Sequence, residues 1–188
     1  IPPWQEQLAS RIGSDVLLCP LYGALSLNDQ RKAILPAPQG MRKVVLATNI
    51  AETSLTIEGI RLVVDCAQER VARFEPRTGL TRLITQRVSQ ASMTQRAGRA
   101  GRLEPGICLH LIAKEQAERA AAQSEPEILQ SDLSGLLMEL LQWGCSDPAQ
   151  MSWLDQPPVV NLQAARRLLR MRWARDGERL SAQGHTMA

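Results

Sequence analysis

Four near-continuous runs of apolar residues mark the chain, at positions 16–19, 44–47, 62–65 and 107–112. Their length and β-branched content are typical of strands that are covered on both faces of a sheet. Polar segments with helical spacing lie between or after them, at positions 27–35, 92–101 and 114–122. Strands that alternate with helices predict an α/β fold, that is, a parallel sheet flanked by helices.

Residues 70–84 depart from this alternation of strands and helices. Apolar and polar residues alternate there on either side of a Pro-Arg-Thr-Gly centre at positions 76–79. Because proline and glycine favour a tight turn, the segment is predicted to form a protruding β-hairpin.

The composition changes near residue 125, where a leucine-rich segment begins. Leucines at helical spacing predict an amphipathic helix from residue 128 to about Gly144: Leu129, Leu133, Leu136, Leu137, Leu140 and Leu141. Asn161 is predicted to cap a second helix, and residues 176–177 are predicted to form a tight turn. The chain is therefore expected to contain an α/β domain at 1–124 and a small, mostly helical winged-helix domain at 125–188.

Charge adds a phosphate-bearing partner to this picture. Residues 61–102 carry nine arginines against three acidic residues, although the whole chain has a net charge of only +3. Lysine occurs only at positions 32, 43 and 114, so the positive charge is mostly arginine, whose planar guanidinium group suits phosphate. An ordinary solvated surface remains the alternative interpretation of the charge alone.

Composition also excludes some classes of protein. With 44% hydrophobic residues the 188-residue chain can build a packed core, and no apolar run approaches the roughly 18–20 residues that span a bilayer, so no membrane partner is expected. Cysteines at positions 19, 66, 108 and 145 are too far apart for a local zinc knuckle. They indicate a reducing, cytoplasmic location and no metal site.

The segment 95–102 carries the strongest chemical signal. On a continuous helix Gln95, Arg99 and Arg102 would share one face, whereas Arg96 would point elsewhere. A glutamine can orient a water molecule, and two guanidinium groups can neutralise the charge that develops during phosphoryl transfer. An exposed arginine-rich helix is the structural alternative, but it explains neither the glutamine nor the two glycines in the segment.

Residues 47–59 follow an apolar strand and are rich in hydroxyl and amide side chains. Loops at the carboxyl ends of strands are where α/β proteins place ligands. Hydroxyl and backbone N–H groups there could hold phosphates without reading bases. A capped helix start is an equally good interpretation of this loop on its own.

Together these motifs resemble the DEAH-box ATP-dependent RNA helicases, and the bacterial members in particular. Residues 95–102 match the family pattern Q-R-x-G-R-x-G-R, and residues 48–54 resemble the T-N-I-A-E-T-S motif. Residues 74–79 resemble the family's hairpin, and residues 21–25 resemble the stretch ahead of the T-N-I-A-E-T-S motif. The resemblance implies a second RecA-like helicase domain at 1–124, with its first strand missing, followed by a winged helix.

The resemblance also implies roles for the catalytic side chains. Gln95 would position the attacking water, and Arg99 and Arg102 would act as arginine fingers. Arg96 would form a structural ion pair.

A nucleotide site is implied as well. Ser54 would sense the γ-phosphate, Glu58 would hold the ribose, and Ile34 would lie where the family often has an aromatic residue against the adenine. Because isoleucine cannot stack, selectivity for adenine is expected to be weak.

Single-stranded RNA is the expected partner, with DNA left open. The resemblance implies that Thr48, Asn49 and Tyr22 contact the nucleic-acid backbone. Arg77 and Arg82 on the hairpin would add positive charge to that surface.

ATP and Mg²⁺ are the expected cofactors, yet the sequence contains neither a G-x-x-x-x-G-K-[ST] motif nor Asp-Glu-x-His. The resemblance implies that the phosphate cradle and the Mg²⁺ ligands lie in a first RecA-like domain, which would act in cis. The chain alone is therefore expected to be inactive. The alternative function is a non-catalytic module that grips nucleic-acid phosphates with its arginine-rich helix and winged helix. The family's winged helix has an apolar stretch at positions that here contain Arg172 and Arg175, so the expectation is either a loosely packed wing or arginines that face solvent or nucleic acid.

Overall fold

The computed structural model describes residues 1–53, 55–171, 175–176 and 179–187. The chain divides into two units. The first comprises Ile1–Glu69 and Gln86–Ser124, and the second comprises Arg70–Thr85 and Glu125–Ala188. Their assignment as a RecA-like domain and a winged helix stays a prediction.

Helices and strands alternate through most of the chain. In order, the elements up to the second strand of the hairpin are α1 (Pro2–Ala9), β1 (Val16–Leu21), α2 (Leu27–Ile34), β2 (Arg42–Ala47), α3 (Ile50–Thr53), β3 (Leu62–Asp65), β4 (Gln68–Glu75) and β5 (Leu80–Arg87). The elements that follow are α4 (Gln90–Ala97), β6 (Ile107–His110), α5 (Lys114–Glu118), α6 (Ser134–Gln142), α7 (Val159–Met171), β7 (Arg175–Asp176), β8 (Arg179–Leu180) and α8 (Ala182–Met187).

The four apolar runs form the four parallel strands of the first unit. β1 pairs with β2, with Leu21 opposite Ala47 at the carboxyl end. β3 pairs with β6 in the same way, with Asp65 opposite His110. Parallel strands need a crossover connection, and the helices between the strands supply it. The predicted α/β fold with a parallel sheet and flanking helices is confirmed.

The buried core of the first unit includes two clusters, of which one contains Ala67, Val88 and Met93. The other lies where α2 covers β1 and β2, with Cys19, Leu21 and Ala33 buried. Partly buried side chains pack around them: Leu17, Val45, Ile50, Ala51, Leu55 and Ile57. Helix α2 begins at residue 27 because the Ser26 hydroxyl accepts a hydrogen bond from the Asp29 N–H at 3.2 Å.

Strands β4 and β5 form the hairpin that the sequence predicts. In its turn the N–H groups of Thr78 and Gly79 donate to the Glu75 carbonyl, at 3.2 and 2.9 Å. Gly79 has a φ of 69°, a conformation that glycine adopts without strain. The hairpin is therefore confirmed at the predicted position.

Helices α6 and α7 enclose the core of the second unit, as the leucine spacing predicts. Its buried side chains are Leu133, Leu137, Leu141, Leu162, Ala165 and Leu169. The buried Phe74 of β4 belongs to the same unit, and its N–H donates to the Gln130 carbonyl at 2.8 Å.

Two local predictions in the second unit are wrong. Helix α6 begins at Ser134, because Glu127–Leu129 forms a separate 3₁₀ turn. Asn161 does not cap α7 but lies buried inside it, where its Nδ2 donates to the Ser131 carbonyl at 3.2 Å. The helix starts earlier because the Pro158 carbonyl already accepts from the Leu162 N–H at 3.0 Å.

Two further expectations fall wholly or partly outside the described residues. Residues 172–174 and the Arg175 side chain lie there, and so does Gly177 of the expected turn. In the described ranges, no helix combines the length and apolar character that crossing a membrane requires.

Candidate functional site

A buried ion-pair network joins the loop after β2 (residues 48–59, which include the short helix α3) to helix α4. The Arg96 Nε donates to Glu52 Oε2 at 2.9 Å, and its NH1 donates to Asp65 Oδ1 at 2.9 Å. The exposed fractions of the side chains are 16% for Arg96, 13% for Glu52 and 3% for Asp65. Burial alone would lower the pKa of Arg96, but the hydrogen bonds and charges of Asp65 and Glu52 raise it. Arg96 therefore forms the structural ion pair that the sequence predicts.

The side chain of Arg99 binds backbone carbonyls of the same loop. Its NH1 donates to the Leu55 carbonyl at 2.9 Å, and its NH2 donates to the Glu52 carbonyl. Within the part of the chain that the structure describes, the Arg99 Nε is buried and has no hydrogen-bond partner. Burial and the nearby charge of Arg102 lower the pKa of Arg99. The Arg99 side chain thus anchors the loop, and its Nε–H donor has no partner among the described residues.

The expected continuous helix over residues 95–102 is wrong. Helix α4 ends at Ala97 with Gly98 as its C-cap, and residues 98–101 form turns. The reason is the low helix propensity of the two glycines in the segment. Even so, the turn brings Gln95, Arg99 and Arg102 together in a cleft of about 380 Å³. The residues that line the cleft are Glu52, Thr53, Gln95, Gly98, Arg99 and Arg102.

Arg102 differs from Arg99 in its contacts. Its side chain is exposed, and its NH1 donates to the Thr56 hydroxyl at 3.0 Å. Gln95, on the last turn of α4, is also exposed. Two of the three predicted catalytic side chains therefore face solvent at the mouth of the cleft.

One glycine of this region, Gly106, lies so close to a neighbouring backbone segment that a side chain would not fit. The sequence analysis did not single it out. A Cβ on Gly106 would lie only 2.8 Å from the Ala100 Cβ and closer still to the Ala100 carbonyl. A Cβ on Gly101 would meet no atom within 4 Å. The only sequence signal is the Pro-Gly pair at 105–106. Because Gly106 has no side chain, the chain can pass close to the turn that carries Arg99 and Arg102.

Replacing Gly106 by alanine should destabilise the first unit. The added Cβ overlaps backbone atoms of Ala100, which cannot rotate away as a flexible side chain could. Overpacking of this kind costs about 1–3 kcal/mol, which lowers the melting temperature of a chain of this size by roughly 2–12 °C. The measurement is thermal unfolding of the 188-residue chain, with Gly101→Ala as the matched control. Equal melting temperatures for the two variants would contradict the close approach.

The structure also brings two of the three predicted nucleotide-binding residues together. The Glu58 N–H donates to the Ile34 carbonyl at 3.4 Å, so the loop after α3 meets the end of α2. The Ile34 side chain is half-buried and that of Glu58 is exposed. Ser54, the third, lies outside the described residues.

The predicted nucleic-acid contacts fall into two groups. Tyr22 and Thr48 follow the carboxyl ends of the paired strands β1 and β2, and the Thr48 N–H donates to the Leu21 carbonyl at 3.1 Å. Asn49 follows Thr48 and is exposed, and α3 begins at the next residue. The loop is therefore both a helix start and a strand-end loop.

The second group lies on the hairpin, in the second unit. Arg77 occupies the turn, Arg82 lies on β5, and both are exposed. Arg73 is also on the hairpin, but its NH2 lies 3.3 Å from Glu125 Oε2, so part of its charge is compensated. Arg77 and Arg82 are thus exposed and available to an anionic partner.

Comparison with known proteins identifies the family. Residues 4–104 match the helicase conserved C-terminal domain. This match covers more than half of the chain, so the chain belongs to the family of helicase conserved C-terminal domains.

Its relatives are named as RNA helicases. The chain is 94% identical over 184 residues to the Escherichia coli (strain K12) protein "ATP-dependent RNA helicase HrpB", a match that covers 98% of this chain and 23% of the relative. It is 40% identical over 173 residues to the human "Probable ATP-dependent RNA helicase DHX34", covering 92% of this chain and 15% of the relative. A crystal structure of Escherichia coli DEAH/RHA helicase HrpB superposes with a TM-score of 0.93 at 94% identity, covering 97% of this chain and 23% of that one. The resemblance inferred from the motifs is confirmed, and the chain spans about a quarter of the length of the Escherichia coli relative.

Proposed function

We propose that this chain is part of an ATP-dependent RNA helicase and supplies Gln95, Arg99 and Arg102 to ATP hydrolysis. The observation that carries the proposal is that these three side chains line the same cleft. Phosphoryl transfer is catalysed mainly by positioning and by neutralisation of charge. A glutamine that orients water beside two guanidinium groups supplies both.

The cleft suits a phosphate group better than a neutral ligand. The buried Nε of Arg99 has no hydrogen-bond partner among the described residues, so it is a donor that an anion could satisfy. Glu52 also lines the cleft, but its carboxylate accepts from Arg96 and Ser92, at 2.9 and 2.8 Å. Because that negative charge is compensated, Arg99 and Arg102 leave the cleft positive. In the proposed reaction Gln95 orients the water, and the two arginines stabilise charge on the γ-phosphate.

Mg²⁺ would shield the phosphates of bound ATP, but the residues that the structure describes do not fit a site for it. In the described ranges, no group of three or more His, Cys, Asp or Glu side chains could hold a metal ion. We therefore assign the Mg²⁺ ligands and the phosphate cradle to a first RecA-like domain in cis. Ser54, Glu58 and Ile34 would contact the γ-phosphate, the ribose and the base from this side.

RNA would bind at the carboxyl edge of β1 and β2. Tyr22 and Thr48 offer hydroxyl groups there and Asn49 an amide, which suit phosphate and sugar oxygens and do not read bases. Arg77 and Arg82, on the hairpin of the second unit, would neutralise further phosphates of the same strand. Binding is therefore expected to tolerate any sequence and to weaken with salt.

A chimera provides the full-length context for testing these roles. In it, this chain replaces the 94% identical segment of Escherichia coli HrpB; it is called the HrpB chimera below. ATP turnover that depends on Arg102 would support the proposal. Turnover that is independent of Arg102, together with loss of RNA binding in the Arg102 variant, would favour the non-catalytic nucleic-acid-binding module instead.

Replacing both Arg77 and Arg82 by alanine should weaken RNA binding by the HrpB chimera and flatten its salt dependence. On a single strand, each neutralised phosphate contributes about −0.7 to the slope of log K against log[salt]. If each arginine contacts one phosphate, the slope should become less steep by about 1.4. The measurement is a salt titration of binding to two unrelated single-stranded RNAs.

The matched control is Arg73→Ala on the same hairpin. Because Arg73 is paired with Glu125, its loss should change the slope less than the loss of either other arginine. An unchanged slope in the double variant would remove the hairpin from the RNA path. A loss of affinity for only one of the two RNAs would indicate base recognition, contrary to the proposal.

A further inference from the structure

The carboxyl end of helix α2 is held by hydrogen bonds from outside the helix. The last carbonyls of a helix have no partner within it and must find one elsewhere. The Cys19 thiol donates to the Lys32 carbonyl at 3.8 Å, and the Glu58 N–H donates to the Ile34 carbonyl at 3.4 Å. Both hydrogen bonds are long and therefore weak.

Lys43 supplies the strong contacts at this helix end. Its Nζ donates to the Ala33 carbonyl at 2.7 Å and to the Leu35 carbonyl at 2.6 Å. A cation at a helix C-terminus also interacts favourably with the helix dipole. Lys43 lies on β2, so its side chain connects the strand to the end of the helix. The two carbonyls that it binds flank Ile34 directly.

The placement of Lys43 is unusual for a lysine. The residue is half-buried, and desolvation lowers the pKa of its ammonium group. Val45, two residues further along β2, packs into the core beneath α2, so the lysine lies on the strand face that α2 covers. A partly buried ammonium group is costly unless it is hydrogen-bonded, and the two carbonyls provide those bonds.

We infer that Lys43 is a positioning residue for the base side of the nucleotide site. The inference rests on the proposed function, in which Ile34 faces the base and Glu58 the ribose. Lys43 acts through Ile34: it holds both neighbouring carbonyls, and Ile34 in turn accepts from the Glu58 N–H. Without the ammonium group, the two long hydrogen bonds and the packing of Ala33 would remain at the end of α2, but the carbonyls on either side of Ile34 would lose their strong donor.

This role predicts a change in KM rather than in kcat. The base and ribose lie away from the reacting phosphate, so their contacts are the same in the ground state and the transition state. Loss of such uniform binding raises KM and leaves kcat unchanged. A residue that only stabilises the fold would produce no such division between the two constants.

The test measures RNA-saturated ATP hydrolysis by the HrpB chimera and by its Lys43→Met variant, which keeps most of the side-chain volume but has no ammonium group. KM for ATP is expected to rise about tenfold, with kcat within about twofold of the parent. Lys43→Arg retains a cation and donors and should bring KM back to within about threefold of the parent. Lys32→Met, which removes an exposed lysine from helix α2, should change neither constant.

Two further variants separate failure of this inference from failure of the proposed site. If Ile34→Ala and Glu58→Ala both leave KM unchanged, the nucleotide site itself is wrong. If they raise KM and Lys43→Met does not, only the positioning role of Lys43 is overturned. A fall in kcat at constant KM in Lys43→Met would also overturn it. Should Lys43→Met fail to fold, Lys43→Gln, whose amide is too short to reach both carbonyls, must show the raised KM.

Discussion

Arg102→Ala should reduce kcat for ATP hydrolysis by the HrpB chimera about 10³–10⁵-fold, the range measured for arginine fingers. The guanidinium group of Arg102 is exposed in the cleft, and among the described residues it binds only one side-chain hydroxyl, that of Thr56. Its removal therefore leaves the protein structure nearly intact while removing a charge that stabilises the transition state. RNA affinity should change little, because Arg102 is assigned to the nucleotide.

Arg102 is a cleaner test than Arg99. Arg99 also binds the backbone carbonyls of Glu52 and Leu55, so its loss would disturb the loop as well as the chemistry. The control is Arg61→Ala, which removes an exposed arginine of the same unit paired with Glu104 at 3.2 Å and should leave kcat unchanged. Near-parental turnover of Arg102→Ala, measured by phosphate release, would reject the catalytic assignment. The 188-residue chain alone, which has no phosphate-binding loop motif, supplies the background rate.

Continuous apolar runs predict the positions of the parallel strands of this chain. Residues 44–47 of β2 form such a run, after the charged Arg42 and Lys43 at the start of the strand. The burial on both faces that such runs are typical of is wrong for β3 and β6, where four apolar side chains are exposed: Leu62, Val64, Ile107 and Leu109. The hairpin was equally visible, since Gly79 adopts the positive φ that its turn requires. Apolar runs and turn chemistry are local properties that a single sequence displays, whereas burial depends on the rest of the fold.

The site was predicted by residue type but not by local geometry. Gln95, Arg99 and Arg102 share a cleft, although a turn rather than a helix brings Arg99 and Arg102 there. Helical spacing cannot show where glycine ends a helix. Asn161 shows the same limit, because its amide serves a tertiary hydrogen bond to Ser131 instead of a cap. In the first case the low helix propensity of glycine ends the helix, and in the second a tertiary contact set by the fold overrides the local preference for a cap.

Lys43 could not be identified from the sequence, and Gly106 gave only the weak signal of the Pro-Gly pair at 105–106. Lys43 reaches from a strand to the end of a helix, and Gly106 meets Ala100 across a loop. Neither relation has a periodic signature. Asp65 gave a weak signal, because a carboxylate at the end of an apolar strand needs a partner. The sequence did not show that this partner is Arg96.

Arg96→Met should destabilise the chain strongly. Methionine replaces the guanidinium group with an apolar side chain and leaves Glu52 and Asp65, both largely buried, without their cation. Removing one partner of a buried ion pair costs about 3–5 kcal/mol, chiefly because the remaining charge is buried and unpaired. Asp65 still accepts from the Ala67 N–H at 2.9 Å and lies 3.2 Å from His110 Nδ1, which places the expected cost at the lower end of that range.

The measurement is thermal unfolding of the 188-residue chain, in which the Arg96→Met transition should fall by roughly 6–12 °C. Arg42→Met is the matched control, because it breaks an ion pair of similar length, 2.8 Å to Asp15, whose side chains are 75% and 52% exposed. Exposed pairs contribute about 0–1 kcal/mol, so the control should shift by no more than about 4 °C. The contrast depends on burial rather than on the number of hydrogen bonds, since both arginines donate twice to carboxylates. Equal shifts for the two variants would mean that water reaches the Arg96 network, and the network could then not hold the loop after β2 against α4.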